Sequence, residues 1–138
     1  MKLRRVIFDS SVWVSSLMIN EPNHYEALRT IQRHINKGYR IIIPWVVMME
    51  VVNVANRMGV PKEQIDHFVL ESIKNDRFVI PEIDAYMLFH AMAVLSAQMK
   101  LRTMDLIIIT HAKLLQPTDF VSFDKTQLNC YIENILNK

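Results

Sequence analysis

Short apolar runs alternate along this chain with longer segments in which apolar residues recur every three or four positions. The runs at 4–8, 39–43, 78–80 and 120–122 are rich in β-branched and aromatic residues, which predicts four strands. Because residues 6–8 of the first run are all apolar, that run predicts a central strand buried on both faces.

The segments between these runs predict helices. Ala27, Leu28, Ile31 and Ile35 recur at helical spacing, and Gly38 ends that segment. The predicted helices span 10–18, 22–36, 44–58, 61–74, 83–99 and 103–115, and no element is assigned from Lys125 onward. Strands that alternate with helices imply a parallel sheet with helices on both faces, where ligands bind at the carboxyl ends of the strands.

Length and composition narrow the class of protein. A chain of 138 residues suits a single domain, residues 1–138, with a full hydrophobic core. Cys130 is the single cysteine and cannot form an intrachain disulfide, and the apolar run near the N-terminus is too short for a signal peptide. We therefore expect a reducing, cytoplasmic location, and no membrane association, since the apolar run 86–99 is too short to span a bilayer.

Four carboxylates stand isolated in apolar sequence: Asp9, Glu50, Asp105 and Asp124. Each has a structural explanation. Asp9 and Asp124 could cap the helices that follow them, and Asp105 could favour a helix N-terminal dipole. Glu50 could belong, with Asn53 and Arg57, to a solvent-facing polar stripe.

The four acids together favour a metal site. They all fall at the carboxyl ends of predicted strands or in the first turns of helices, and clustered carboxylates are costly unless they surround cations. Oxygen-only ligands indicate Mg²⁺ or Mn²⁺, whereas one cysteine and five histidines without ligand spacing argue against zinc. With two glycines, the chain has neither a phosphate-binding loop nor a dinucleotide fingerprint. Excluding these four acids, 16 basic residues face ten acidic ones, which suits a surface that meets phosphates.

Three segments then resemble the PIN-domain family, and in size and layout its VapC-type toxin ribonucleases of toxin–antitoxin pairs. They are VIFDSSVWVSSL at 6–17, IIPWVVMMEVVNVANR at 42–57, and RTMDLIIITHAKLL at 102–115 with the later FVSFDK. The resemblance implies a three-layer α/β/α fold with a mostly parallel sheet of four to five strands and helices on both faces. The chain departs from the family pattern at Leu106, where a small residue is common, and in lacking a clear fifth strand after Asp124.

The same resemblance implies a metal-dependent endoribonuclease in which Asp9, Glu50, Asp105 and Asp124 hold one or two Mg²⁺ or Mn²⁺ ions. By this resemblance, Ser11 and Ser122 support the site by orienting carboxylates. Asn53, on the same polar stripe as Glu50, is a further supporting candidate. The implied partners are an RNA substrate, a second copy of the chain and a small antitoxin. Candidate phosphate contacts are Arg102, Arg57, Lys125 and the Arg4–Arg5 pair.

Two other functional classes stay open at this point. A PIN-like module could bind RNA or protein without cleaving, although all four acids are present. A phosphotransfer enzyme would phosphorylate the acid after the first strand, but Asp9-Ser10-Ser11 lacks the D-x-D pattern.

Apolar surplus suggests where a partner binds. Hydrophobic residues make up 51% of the chain, with nine methionines, and the helix at 83–99 is apolar nearly all round. We expect part of Tyr86, Met87, Phe89 and Met92 to form a homodimer face or an antitoxin groove. Trp13 and Trp45 could stack a base, with buried packing as the alternative.

Overall fold

The four predicted strands form one parallel sheet in a computed structural model that describes residues 3–136. They are β1 (Arg5–Phe8), β2 (Arg40–Ile42), β3 (Phe78–Val79) and β4 (Asp119–Val121), in the order β3-β2-β1-β4. Every neighbouring pair is parallel, and helices cover both faces, as expected for a three-layer α/β/α fold. No fifth strand occurs between residues 3 and 136.

Seven α-helices connect and flank these strands in the described part of the chain. They are α1 (Ser10–Leu17), α2 (His24–Asn36), α3 (Trp45–Arg57), α4 (Lys62–Lys74), α5 (Ala85–Ser96), α6 (Thr103–Leu115) and α7 (Lys125–Tyr131), followed by a π-helix at Ile132–Leu136. Helix α5 begins two residues later than predicted because the Asp84 carboxylate accepts hydrogen bonds from the backbone N–H groups of Tyr86 and Met87. The segment from Lys125 onward, to which the sequence assigned no element, is helical through Leu136.

The hydrophobic core is built around β1. Val6, Ile7 and Phe8 have no exposed surface, because β1 lies between β2 and β4 with helices on either face. Trp13 on α1 packs edge-on against Phe8, with ring centroids 5.5 Å apart. Full burial of side chains of this size stabilises the fold by about 1.5–3 kcal/mol each. Packing, not base stacking, therefore occupies Trp13.

Helix α5 is divided between core and surface. Leu88 and Leu95 are buried, while Tyr86, Met87 and Phe89 are 84%, 58% and 64% exposed. The apolar surplus expected there is thus on the surface, although Met92 is half-buried. No helix among residues 3–136 has the length and hydropathy to cross a membrane.

Parallel strands bring the chain's distant acids to one edge. The backbone N–H of Asp9 donates to the carbonyl of Val121 at 2.8 Å, so the ends of β1 and β4 lie side by side. Helix α1 leaves β1 at this edge and packs against α3, which in turn contacts α6. Residues from β1, β4, α3 and α6 can therefore surround one site.

Candidate active site

The four isolated carboxylates converge on one cleft at the carboxyl edge of the sheet. The cleft has a volume of about 420 Å³, and its walls contain all four acids. The remaining lining residues include Ser10, Ser11, Ser15, Glu21, Asn23, Phe123 and Gln127. Since the acids come from four different elements, tertiary structure and not local sequence brings them together.

Asp9 is the most buried of the four, with 2% of its surface exposed. Its Oδ2 accepts hydrogen bonds from the hydroxyls of Ser122 at 2.8 Å and Ser11 at 3.2 Å, and its Oδ1 accepts from the backbone N–H of Ser10 at 2.8 Å. Burial raises the pKa of Asp9 to about 6, with a further increase from the charge of Glu50, while these hydrogen bonds lower it. The carboxylate is thus fixed in orientation but costly to ionise.

Gln127 is a further partner of Asp9 that the sequence pattern does not indicate. Its side chain is 1% exposed, and with the amide nitrogen turned toward Asp9 it donates to Oδ2 at 2.8 Å and Oδ1 at 3.3 Å. The available signal was its place three residues after Asp124, the position where glutamine often completes a helix cap. Ser10 was also missed, and its hydroxyl hydrogen-bonds a carboxylate oxygen of Glu50.

The pKa of Asp105 depends on burial and on the charges of neighbouring side chains. It lies in the first turn of α6 and is half-buried. Its pKa is raised, first by desolvation and then by the negative charges of Glu50 and Asp124, while Arg102 lowers it. Repulsion among these carboxylates shows that they share one electrostatic environment, which a bound cation would relieve.

Asp124 combines two roles. Its Oδ1 accepts hydrogen bonds from the backbone N–H groups of Thr126 at 2.9 Å and Gln127 at 3.3 Å, so it caps α7. Its own N–H donates to Ser122 Oγ at 3.0 Å. Asp9 is the N-cap residue of α1, and its side chain accepts from the backbone N–H of Ser10. The capping explanation therefore holds for both residues, and capping does not remove either carboxylate from the cleft.

Several candidate residues lie outside the cleft lining. Asn53 and Arg57 are exposed along α3, and neither lines the cleft, so the polar stripe of α3 contributes only Glu50 to it. Lys125 is exposed beside Asp124, and Arg102 is exposed at the start of α6. Trp45 is 48% exposed and also lies outside the cleft lining.

The donor set suits a hard divalent cation that keeps part of its water. Among residues 3–136, no three His, Cys, Asp or Glu side chains are arranged tightly enough to enclose a metal ion as they stand. Mg²⁺ characteristically binds through one or two carboxylates, retains several waters and completes its shell with substrate phosphate. An open cleft lined by carboxylate oxygens fits this mode, and it does not fit a closed structural zinc site.

Protein nucleophiles have no support in this geometry. The hydroxyls of Ser10, Ser11 and Ser122 bond carboxylates of the cleft. In the described part of the chain, the histidine hydrogen bonds go to backbone carbonyls and to Asp119, and none reaches a serine or cysteine side chain. Within residues 3–136, these serines therefore have no histidine partner of the kind that activates a serine or cysteine nucleophile.

The fold and the sequence were compared with those of known proteins. The structure is similar to VapC20 of Mycobacterium tuberculosis, a toxin that cleaves the sarcin-ricin loop, with a TM-score of 0.70 and 12% identity over 90% of this chain and 93% of that chain. It is also similar to VapBC2 of Rickettsia felis bound to a promoter DNA fragment, with a TM-score of 0.57 and 15% identity over 86% and 98% of the two chains. No curated protein matches the sequence. The family model of the PIN domain matches residues 6–131, and the chain therefore belongs to the PIN domain family.

Proposed function

We propose that this protein is a metal-dependent endoribonuclease that hydrolyses RNA phosphodiester bonds with Mg²⁺ or Mn²⁺. The observation that carries the proposal is the convergence of Asp9, Glu50, Asp105 and Asp124 in one open cleft. These four carboxylates share a cleft of about 420 Å³ with a fifth, Glu21, and a cation bound among them would offset their mutual repulsion.

The protein's own groups prepare this cleft. Ser122, Ser11 and Gln127 fix the Asp9 carboxylate in one orientation. Ser10 fixes Glu50 against the start of α1. Such supporting hydrogen bonds hold ligands in place before binding and typically change metal affinity by about 10- to 100-fold when removed.

The four acids would hold the ion. When bound, a divalent cation supplies positive charge toward a phosphate oxygen and lowers the pKa of water in its shell. The half-buried Asp105 and exposed Asp124 leave the outer side of the cleft open, so a phosphodiester can approach from solvent. Family membership and the likeness to a toxin that cleaves the sarcin-ricin loop support RNA as the substrate.

The cellular role that we propose is that of a toxin in a toxin–antitoxin pair, acting in the cytoplasm. The likeness to a VapC toxin and to a VapBC complex supports a small antitoxin that covers the acidic cleft. The exposed side chains of Tyr86, Met87 and Phe89 on α5 support a homodimer. A non-catalytic PIN-like module is the second candidate, and the open cleft with all four acids weighs against it.

Calorimetric titration with Mn²⁺ tests the metal site directly. We compare the chelator-treated protein with Asp9→Asn and Asp105→Asn, and with Glu71→Gln as a matched control, because Glu71 is an exposed acid on α4 outside the cleft. Binding that both cleft variants weaken at least tenfold, and that Glu71→Gln leaves intact, is the expected result.

RNA cleavage is then measured with the same four proteins in Mg²⁺. We expect cleavage by the unsubstituted protein and by Glu71→Gln, and none by the two cleft variants. Metal binding without cleavage of any RNA would favour the non-catalytic module. The Mn²⁺ titration is also repeated with RNA present. If Mn²⁺ binds in the cleft neither without RNA nor with it, the four acids serve only as caps and surface charges.

A further inference from the structure

Arginines line the sheet edge opposite the acidic cleft. Arg5 at the start of β1 is in register with Arg40 at the start of β2. The N–H of Ile41 donates to the carbonyl of Arg77 at 3.0 Å, which places Arg77 beside Arg40 at the start of β3. The amino ends of three neighbouring strands therefore each carry an arginine, and we call Arg5, Arg40 and Arg77 the arginine row. The guanidinium of Arg5 donates to the backbone carbonyls of Leu115 and Gln116 at 2.9 and 3.2 Å.

Helix α2 ends at this same edge. A guanidinium N–H of Arg4 donates to the carbonyl of Lys37 at 2.9 Å, and one of Arg77 donates to the carbonyl of Ile35 at 3.3 Å. These contacts join the last turn of α2 to the arginine row. Because a guanidinium has five N–H donors, both side chains keep donors for a ligand.

The outer face of α2 extends the positive surface. A shallow site of about 470 Å³ is lined only by Arg29, Gln32, Arg33, Asn36 and Lys37, all of them exposed. Its three cations are spaced four residues apart, so they follow one another along one side of α2 and its C-cap residue Lys37 over about 12 Å. We call this row, with its two amides, the α2 stripe.

The positive charge of this region is not neutralised by carboxylates. Within residues 3–136, Lys62 forms an ion pair with Asp66, and His34 hydrogen-bonds Asp119; neither contact involves the α2 stripe or the arginine row. Asp119 begins β4 on this edge, but its Oδ2 already faces His34 Nε2 at 3.0 Å. Clustered, unpaired cations of this kind raise the local concentration of anionic ligands.

We infer that the α2 stripe and the adjoining arginine row bind the sugar–phosphate backbone of single-stranded RNA. Arginine, lysine and side-chain amides are the groups that contact phosphates and sugars without reading sequence. Tyr25, one turn before Arg29 and 62% exposed, can stack a base.

Helix α2 also connects this surface with the cleft. Asn23 at its N-cap lines the acidic cleft, and its thirteen residues extend about 20 Å to the arginine row. An RNA strand that enters the cleft can therefore continue along α2 to the opposite edge. This assignment of RNA as the ligand rests on the proposed function.

A purely structural role makes a different prediction. Cations in the last turn of a helix stabilise its C-terminus by about 0.3–1 kcal/mol. If that were the only role of Arg33 and Lys37, their loss would lower the melting temperature and leave RNA affinity unchanged.

The test is binding of a short, dye-labelled single-stranded RNA, followed by fluorescence anisotropy in EDTA so that no cleavage occurs. The variant Arg29→Gln/Arg33→Gln is compared with Lys62→Gln/Lys100→Gln, which removes the same charge from two exposed positions outside the stripe. We expect the stripe variant to bind at least tenfold more weakly, with the slope of log affinity against log salt shallower by about 1.4. The control should stay within twofold of the unsubstituted protein.

Several results would overturn the inference. The first is that the stripe variant and the control bind RNA with the same affinity and the same salt slope. The second is that the protein binds phosphatidylserine vesicles but does not bind RNA. Because the assay contains no metal, it is independent of catalysis. A protein that cleaves no RNA in Mg²⁺, yet loses RNA affinity in the stripe variant, would refute the proposed nuclease and support the α2 stripe.

Discussion

At the scale of single residues, the cost of ionising Asp9 predicts an unusual pH dependence. Its pKa is about 6 in the folded chain and 3.8 in a model peptide, so between these values the folded state binds a proton that the unfolded state has lost. Without divalent cations, the free energy of unfolding should therefore fall as the pH rises from 4 to 6.

The size of that fall is on the order of 3 kcal/mol. Denaturant titrations in EDTA across this pH interval measure it. Asp9→Asn, which has no charge to lose, is the matched control and should show a much flatter profile. A profile that is identical in the two proteins would mean that burial does not disfavour the Asp9 charge.

Gln127 provides a second residue-scale prediction. Replacement by alanine removes a buried amide that faces the Asp9 carboxylate, so we expect about 1–3 kcal/mol lower stability and Mn²⁺ affinity reduced by about 10- to 100-fold. Gln64→Ala on the exposed side of α4 is the control and should change neither quantity. Intact metal affinity in Gln127→Ala would show that this amide serves packing alone.

At the scale of elements, the exposed and buried side chains of α5 should affect different properties, dimer formation and folding stability respectively. Tyr86→Ser/Phe89→Ser removes two exposed aromatic side chains. We expect the free energy of unfolding to change by less than about 0.5 kcal/mol and the dimer dissociation constant to rise by roughly thirtyfold. Sedimentation measurements over a concentration series, with a chemical melt of each protein, check both quantities.

Leu88→Ala on the same helix is the opposite case. Leu88 is buried, so its loss should cost about 2–5 kcal/mol of folding stability.

A concentration-independent monomer mass for the unsubstituted protein would contradict a dimer through α5.

At the scale of the whole molecule, a cation among the acids should link four elements and raise the melting temperature. Ligand at 100 times its dissociation constant stabilises the folded state by about 2.7 kcal/mol, an increase on the order of 10 °C for a chain of this size. Thermal melts with and without Mn²⁺ measure this increase. It should be lost in Asp9→Asn/Asp105→Asn and retained in Glu71→Gln. An equal increase in the double variant would place the bound cation elsewhere.

Much of this fold was accessible from the sequence. All four strands lie within about one residue of the predicted runs, and α6 has the predicted bounds, because apolar periodicity is a local property set by which face each residue must bury. The ends of α2 and α5 were less accessible. They depend on capping and loop contacts such as the Asp84 carboxylate with the Tyr86 N–H, which periodicity does not report.

The candidate site divides in the same way. The alternation of strands and helices was enough to predict a parallel α/β architecture with the four acids at comparable topological positions, because such strands place their carboxyl ends at one edge of the sheet. Which polar neighbours share the cleft depends on how the elements pack: Gln127 and Ser10 line it, whereas Asn53 does not. The side-by-side placement of Arg5, Arg40 and Arg77 likewise depends on strand register. Strand register and helix packing join residues far apart in the chain, and no local pattern records that juxtaposition.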